Sequence, residues 1–227
     1  MGSVDRVDRV ETLTRHRALE RGYWFARGLL DAPRLMALRG QVLEICARRG
    51  WLEGRRGFAN DSAEFQQLQL EAQALAAFDA LRSDARLRAA LEELLGGAVR
   101  DRQGDVCRVM FPGAPEFATP AHQDQTFLKR ADEVWTAWIP LGACPRRQGS
   151  LAVLPRSNRL GLAAAAPRVP RWRSFDFAAG NVLFVHALTL HRALVNRSAE
   201  IRVSVDCRYS KESWAMPQLR CGRTSPR

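Results

Sequence analysis

The sequence predicts an α+β fold, helices first and then short strands closed into a sandwich or jelly roll. Three observations predict it. Up to Gly97 apolar residues recur at helical spacing, and beyond it Pro and Gly punctuate short β-rich segments. The stretch "IRVSVDCR" then alternates strictly. Positions 201, 203, 205 and 207 are apolar, while Arg202, Ser204, Asp206 and Arg208 are polar. That pattern fits a strand with one face on a core and the other on solvent or a polar cavity.

A chain of 227 residues suits one domain with a substantial core. Residues 1–21 read as a charged lead-in, 22–210 as the domain and 211–227 as a loosely held tail. "GYWFARGLL" (22–30) reads as a short aromatic strand. "DAPRLMALRGQVLEICARRG" follows as an amphipathic helix, with Asp31 near its start, Pro33 in its first turn and Gly50 as its stop. A loop covers 51–61, and a second helix is expected from about Ser62 to Leu81. A third starts at Ser83 as N-cap and ends at Gly96-Gly97. The strands are expected at 105–111, 121–127, 133–141, 149–155, 180–191 and 200–209.

Composition narrows the function. Apolar residues make up 46% and charged residues 26%, which is ordinary for a globular chain. No apolar run reaches the ~20 residues of a membrane span. "MGSVDRVDRVE" lacks an apolar h-region, so no secretory leader is expected and cytoplasm is the expected compartment. Five scattered cysteines without CxxC argue against a disulfide framework and a structural zinc site. The net charge of +11 is spread along the chain without a basic run, which disfavours nucleic acid and suits an anionic small molecule.

"AHQDQTF" (121–127) carries the chemistry. On a strand His122 and Asp124 project together, with Gln123 turned away. A lone H-x-D is weak, and taken by itself it reads as a polar surface strand. His191, ending "NVLFVHALTLH", offers a third ligand from another strand. His186, five residues earlier, has the opposite parity and is expected to hydrogen-bond within the scaffold. Two imidazoles and one carboxylate on one side of a metal suit Fe(II) and leave room for a chelating cosubstrate and O2. Arg202, eleven residues after His191, is placed to pair with the far carboxylate of a dicarboxylate cosubstrate.

Taken in order, these segments resemble the phytanoyl-CoA dioxygenase family of Fe(II)/2-oxoglutarate oxygenases. They are H-x-D at 122–124, "VWTAW" at 134–138, "QGSLAVLP" at 148–155, "GNVLFVHALTLH" at 180–191 and "NRSAEIR" ending at Arg202. "RGYWFARGLLDAPRLMALR" is similar to the family's opening strand and helix, so the resemblance covers roughly residues 20–210. It implies a double-stranded β-helix (jelly-roll, cupin-like) core with N-terminal supporting helices. It implies iron on His122, Asp124 and His191, and 2-oxoglutarate chelating that iron and paired with Arg202. Trp135 corresponds to a position lining the cosubstrate pocket, with a core tryptophan as the other reading, and Cys107 falls near another such position.

Three departures stand out. A serine common two residues after the distal histidine is Ala193, leaving Thr189, Ser204 or water to supply that hydroxyl contact. The "PGSH"-like turn is Pro155-Arg156-Ser157-Asn158, and "GD" is Gly180-Asn181. Asp124 is retained where related halogenases carry Gly or Ala. The resemblance therefore implies hydroxylation of an unactivated C–H bond with succinate and CO2 as coproducts. Desaturation, cyclisation and epoxidation need only another substrate placement on the same iron.

The expected substrate is a small molecule, as in natural-product tailoring, contacted by loops at 54–61, 112–121 and 163–176. Arg168, Arg171 and Trp172 on the last loop suit an anionic or aromatic group. A non-redox cupin-like metal protein would keep the histidines without needing Arg202, and a basic binding protein would need none of these residues.

Overall fold

In a computed structural model the described residues are 15–54, 57–102, 104–128, 133–162 and 171–211. The elements run α1 (Arg15–Arg21), β1 (Tyr23–Ala26), α2 (Ala32–Arg48), α3 (Ala63–Gln73), α4 (Ala76–Arg82) and α5 (Ala85–Leu95). Strands follow: β2 (Val99–Asp101), β3 (Val106–Met110), β4 (Val134–Pro140), β5 (Leu151–Val153), β6 (Arg173–Ser174), β7 (Val182–His186), β8 (His191–Ala193) and β9 (Arg202–Lys211). One sheet has the order β1-β7-β4-β9-β2, with β3 also on β9, and the other is β6-β5-β8. The pairings are antiparallel. Helices supporting a two-sheet core match the expected fold class. Among the described residues no helix is long and apolar enough to cross a membrane.

The large sheet separates two cores. One face carries Trp135, Ala137, Phe184, Val205 and Cys207, packed with Leu38, Leu91 and Leu94 of the helices. The other carries Trp138, Leu183 and Val185, packed with Leu151 and Val153 of the small sheet. Alternation along β9 follows the same division. Val203, Val205, Cys207 and Tyr209 join the helix-side core. Arg202, Ser204 and Asp206 are buried on the opposite face, so this strand turns its polar side to an interior cavity and not to solvent.

Helix boundaries depart from expectation in two places. The helix expected over 62–81 is two: α3, capped by Ser62 Oγ accepting from Phe65 N at 3.1 Å, and α4, which restarts after Leu75. No Gly or Pro forces the break. In an unbroken helix Phe78 and Leu81 would point away from the face that buries Leu68 and Ala72, and the break turns all four inward. The N-cap of α5 is Asp84, not Ser83, because Ser83 still closes α4 through its N–H to Asp79 O. Asp84 accepts from Arg86 N and Leu87 N instead. α2 begins and ends as expected, with Asp31 capping Arg34 N at 2.9 Å and Gly50 at φ +66° behind it.

Two strands also change. Residues 121–127 are not a strand: His122 makes a single bridge to His191, and Asp124–Phe127 is a 3-10 turn. Residues 180–191 split into β7 and the start of β8, with a turn between. Gly22 sets that turn. Its carbonyl accepts from His186 N at 3.0 Å and Thr189 Oγ1 at 2.6 Å. At φ +79°, a Cβ there would lie 2.3 Å from Thr189 Oγ1.

Candidate metal centre

Three chain segments deliver the polar cluster. His122 and His191 exchange backbone hydrogen bonds, each N donating to the other's O at 3.0 Å. Such a pair holds both side chains on one face, and the ring centroids are 4.2 Å apart. The 3-10 turn then swings Asp124 beneath them. Asp124 Oδ1 lies 3.7 Å from His122 Nε2 and 3.8 Å from His191 Nε2. One ligand atom from each of the three lies within 4.8 Å of the others, and among the described residues this is the group able to hold a metal.

Both imidazoles are oriented to coordinate. His122 Nδ1 is 2.9 Å from Pro120 O, and His191 Nδ1 is 2.9 Å from Thr189 O. A carbonyl only accepts, so each Nδ1 carries a proton and each Nε2 is turned toward Asp124, the nitrogen left to a metal when the ring is neutral. Burial lowers the His191 pKa and favours that neutral form. For Asp124 burial acts in the other direction. His122, His191, Arg208 and the Thr136 hydroxyl outweigh it and hold the carboxyl well below the usual range. The donor set, two neutral imidazoles and one carboxylate, fits Fe(II).

Gln123 is not a spectator between the two. It is buried, and its amide donates to Gly161 O at 2.9 Å and Leu188 O at 2.5 Å, tying the turn to both flanking loops. Ser157 makes a similar tie, donating to Leu154 O and accepting from Leu190 N beside His191. His186 stays in the scaffold, accepting from Leu188 N at 3.1 Å with its ring edge-on to Trp135.

Along β9, Arg202 lies 3% exposed in the same pocket. Its Nη1 donates to Gly149 O at 3.1 Å, while Nε and Nη2 meet no acceptor. Burial depresses its pKa. Ser204 Oγ, fully buried two residues on, also lacks a partner. Leaving a guanidinium half-paired in an interior costs several kcal/mol, on the order of a lost buried ion pair. A ligand carboxylate here would satisfy both orphan nitrogens, which is what a dicarboxylate cosubstrate presents. Of the residues offered to replace the serine absent at Ala193, Thr189 is committed to Gly22 O, whereas Ser204 has its hydroxyl free.

Two expected pocket residues lie elsewhere. Trp135 is fully buried in the helix-side core, with its Nε1 donating to Glu133 at 3.1 Å. Strand parity explains this: Thr136 and Trp138 face the pocket, and Trp135 faces away. Cys107 is likewise in the helix-side core, its backbone bonded to the Gln69 amide, while Arg108 faces the pocket. Arg171 is exposed and Trp172 is half-buried under Arg192, whose guanidinium carbon lies 4.6 Å from the ring centroid. Neither lines the cavity at the histidines. Arg168 lies outside the described residues.

The residues that sequence reasoning missed are Thr136, Trp138, Arg108, Asp206 and Arg208. Thr136 Oγ1 donates to Asp124 Oδ2 at 2.6 Å and Arg208 Nη2 to Asp124 Oδ1 at 3.1 Å. Asp206 has one oxygen 3.5 Å from Arg108 Nε. The polar face of β9 was the available signal for Asp206 and Arg208, and the parity of "VWTAW" the signal for Thr136 and Trp138.

Comparison with known proteins shows a family and a shared fold. The phytanoyl-CoA dioxygenase (PhyH) family matches residues 19–204. A 1-deoxypentalenic acid 11-beta-hydroxylase of Streptomyces arenae is 25% identical over 231 residues, spanning 86% of this chain and 79% of its own. The structure of SnoK, a non-heme alpha ketoglutarate dependent carbocyclase from nogalamycin biosynthesis, aligns with TM-score 0.70. It shares 20% identity over 92% of this chain and 87% of its own. The epimerase SnoN, solved with Fe3+, alpha ketoglutarate and nogalamycin RO, aligns with TM-score 0.60 and 23% identity, covering 87% of this chain and 82% of its own.

Proposed function

Because the chain belongs to the phytanoyl-CoA dioxygenase family, we propose that it is an Fe(II)- and 2-oxoglutarate-dependent oxygenase that hydroxylates a small molecule. His122, Asp124 and His191 hold the iron, and residues 22–210 form the single domain that carries them. Arg202 takes the far carboxylate of 2-oxoglutarate, with Ser204 as a second donor beside it and Trp138 as a wall. The iron with 2-oxoglutarate and O2 supplies the oxidation, leaving succinate and CO2.

The chain's own part is positioning. Pro120 O and Thr189 O fix the two imidazoles with Nε2 inward, and Thr136 and Arg208 fix the carboxylate. Trp138, Leu151 and Val185 keep the pocket wall dry. The single observation that carries this reading is the pairing of a two-histidine, one-carboxylate cluster with a buried arginine whose donors await an anion. A non-redox metal protein would not need that arginine. Asp124 argues for oxygenation over halogenation, since a halide site needs the carboxylate's place free.

The substrate is a small natural product undergoing tailoring. The named hydroxylase and the nogalamycin enzymes support that class, and the charge of +11 favours an anionic member of it. The described cysteines are unpaired, as suits a reducing cytoplasm.

Succinate release tests the reading. Aerobic protein with Fe(II) and 2-oxoglutarate should form succinate, faster with the right substrate. Asp124→Ala should abolish it without added halide or formate. Succinate formation undiminished in Asp124→Ala would remove the carboxylate from the ligand set.

A further inference from the structure

We propose that Arg208 is the positioning residue of the metal-binding carboxylate, holding Asp124 Oδ1 toward both imidazoles and setting how tightly the site takes a divalent cation. This rests on the reading of His122, Asp124 and His191 as metal ligands. Asp124 is gripped from two strands. Thr136 of β4 donates to Oδ2 at 2.6 Å, and Arg208 of β9 donates through Nη2 to Oδ1 at 3.1 Å. Thr136 and Arg208 are direct cross-strand partners, so one rung of the sheet carries both donors.

Oδ1 is the oxygen that faces both Nε2 atoms, and Arg208 uses a second lone pair of that same oxygen. Thr136 and Arg208 together fix the plane of the carboxylate, one donor on each oxygen, so that the remaining lone pair of Oδ1 is aimed between the two imidazoles.

Arg208 does not depend on Asp124 for its own placement. Its Nη1 donates to Gly104 O, and its backbone N–H donates to Asp105 Oδ1 at 3.0 Å. Asp105 is buried and in turn meets Arg82 Nε at 2.8 Å. The cation is thus anchored by the connection between β2 and β3 and presents one arm to the metal site. Outer hydrogen bonds to ligating groups are worth about 10–100-fold in metal affinity.

Mn(II), which stands in for Fe(II) without O2 chemistry, tests this by calorimetry. Arg208→Gln should weaken Mn(II) binding about tenfold or more, while the 2-oxoglutarate affinity of the Mn(II)-saturated protein stays within about twofold. That split separates positioning from distortion, since Arg202 and Arg208 share β9 and a bent strand would harm both. Arg208→Lys keeps a cation but cannot span Gly104 and Asp124 together, and an intermediate loss is expected. If the Gln variant does not fold, the Lys variant carries the test. Mn(II) affinity equal to wild type overturns the proposal. So does a parallel loss of both affinities with a lowered melting temperature of the metal-free variant. A wild-type protein that takes no Mn(II) sinks the metal-site reading itself.

Discussion

Arg202 carries its guanidinium carbon 5.6 Å over the Trp138 ring, while its Nε and Nη2 reach no acceptor. A buried cation so placed weakens the ligand-free protein and is relieved only when an anion arrives. Arg202→Met should therefore raise the stability of the ligand-free protein by about 1 kcal/mol or more. The same change should abolish the rise in melting temperature that 2-oxoglutarate gives. A ligand-free variant less stable than wild type, or one still stabilised by 2-oxoglutarate, would contradict this.

Trp135 and Trp138 should separate cleanly. Trp138→Ala is expected to weaken 2-oxoglutarate binding, because its ring lies under Arg202 in the pocket. Trp135→Ala should cost about 3–5 kcal/mol of stability and leave cosubstrate affinity per folded molecule unchanged. Denaturant titration and ligand binding on both variants decide it. Equal effects on cosubstrate binding would mean that the two faces of β4 are not distinct.

Arg156 sits at φ +66°, the one non-glycine residue at positive φ among those described. It stands where the resembled family has the glycine of its turn. Its side chain makes one exposed ion pair, to Glu20 at 2.8 Å. Arg156→Gly should hold or raise stability by up to about 1 kcal/mol, since a left-handed L-residue costs roughly 1–2 kcal/mol. A loss of stability would show that the ion pair outweighs the backbone strain.

Acid should destabilise the metal-free protein in two stages. Burial lowers the pKa of His186 and of His191 below the ordinary 6.5. Below 6.5 the unfolded chain then binds protons that the folded chain refuses, so stability present above that value falls as pH drops. The slope is at most about 1.4 kcal/mol per pH unit for each histidine. Asp124, held well below 3.8, adds a contribution that is lost only at still lower pH. Urea titrations from about pH 8 to about pH 4.5 should show the histidine stage, and His186→Gln should reduce it. A flat profile would contradict the burial of both rings.

Much of this architecture was legible in the residues. Strict alternation over 201–208 announced a strand with an apolar and a polar face, and the structure assigns those faces to the helix-side core and the pocket. What alternation does not reveal is which face of a neighbouring strand meets the same cavity. For β4 all seven residues are buried, so its sequence shows no contrast between Trp135 and Trp138. The "HQD" stretch misled in another way. Its two-residue spacing works on a strand, yet here one bridge and a 3-10 turn achieve the same convergence. The break at Leu75 left no local mark because tertiary burial of Phe78 and Leu81 decides it, not propensity.

The most direct test of the central claim is 2-oxoglutarate binding to anaerobic, Fe(II)-loaded protein. One equivalent should bind to wild type. His191→Ala should lose both iron and cosubstrate, and Arg202→Ala should keep iron while losing most cosubstrate affinity. Absence of 2-oxoglutarate binding in the Fe(II)-loaded wild type, or equal binding in His191→Ala, would contradict the account.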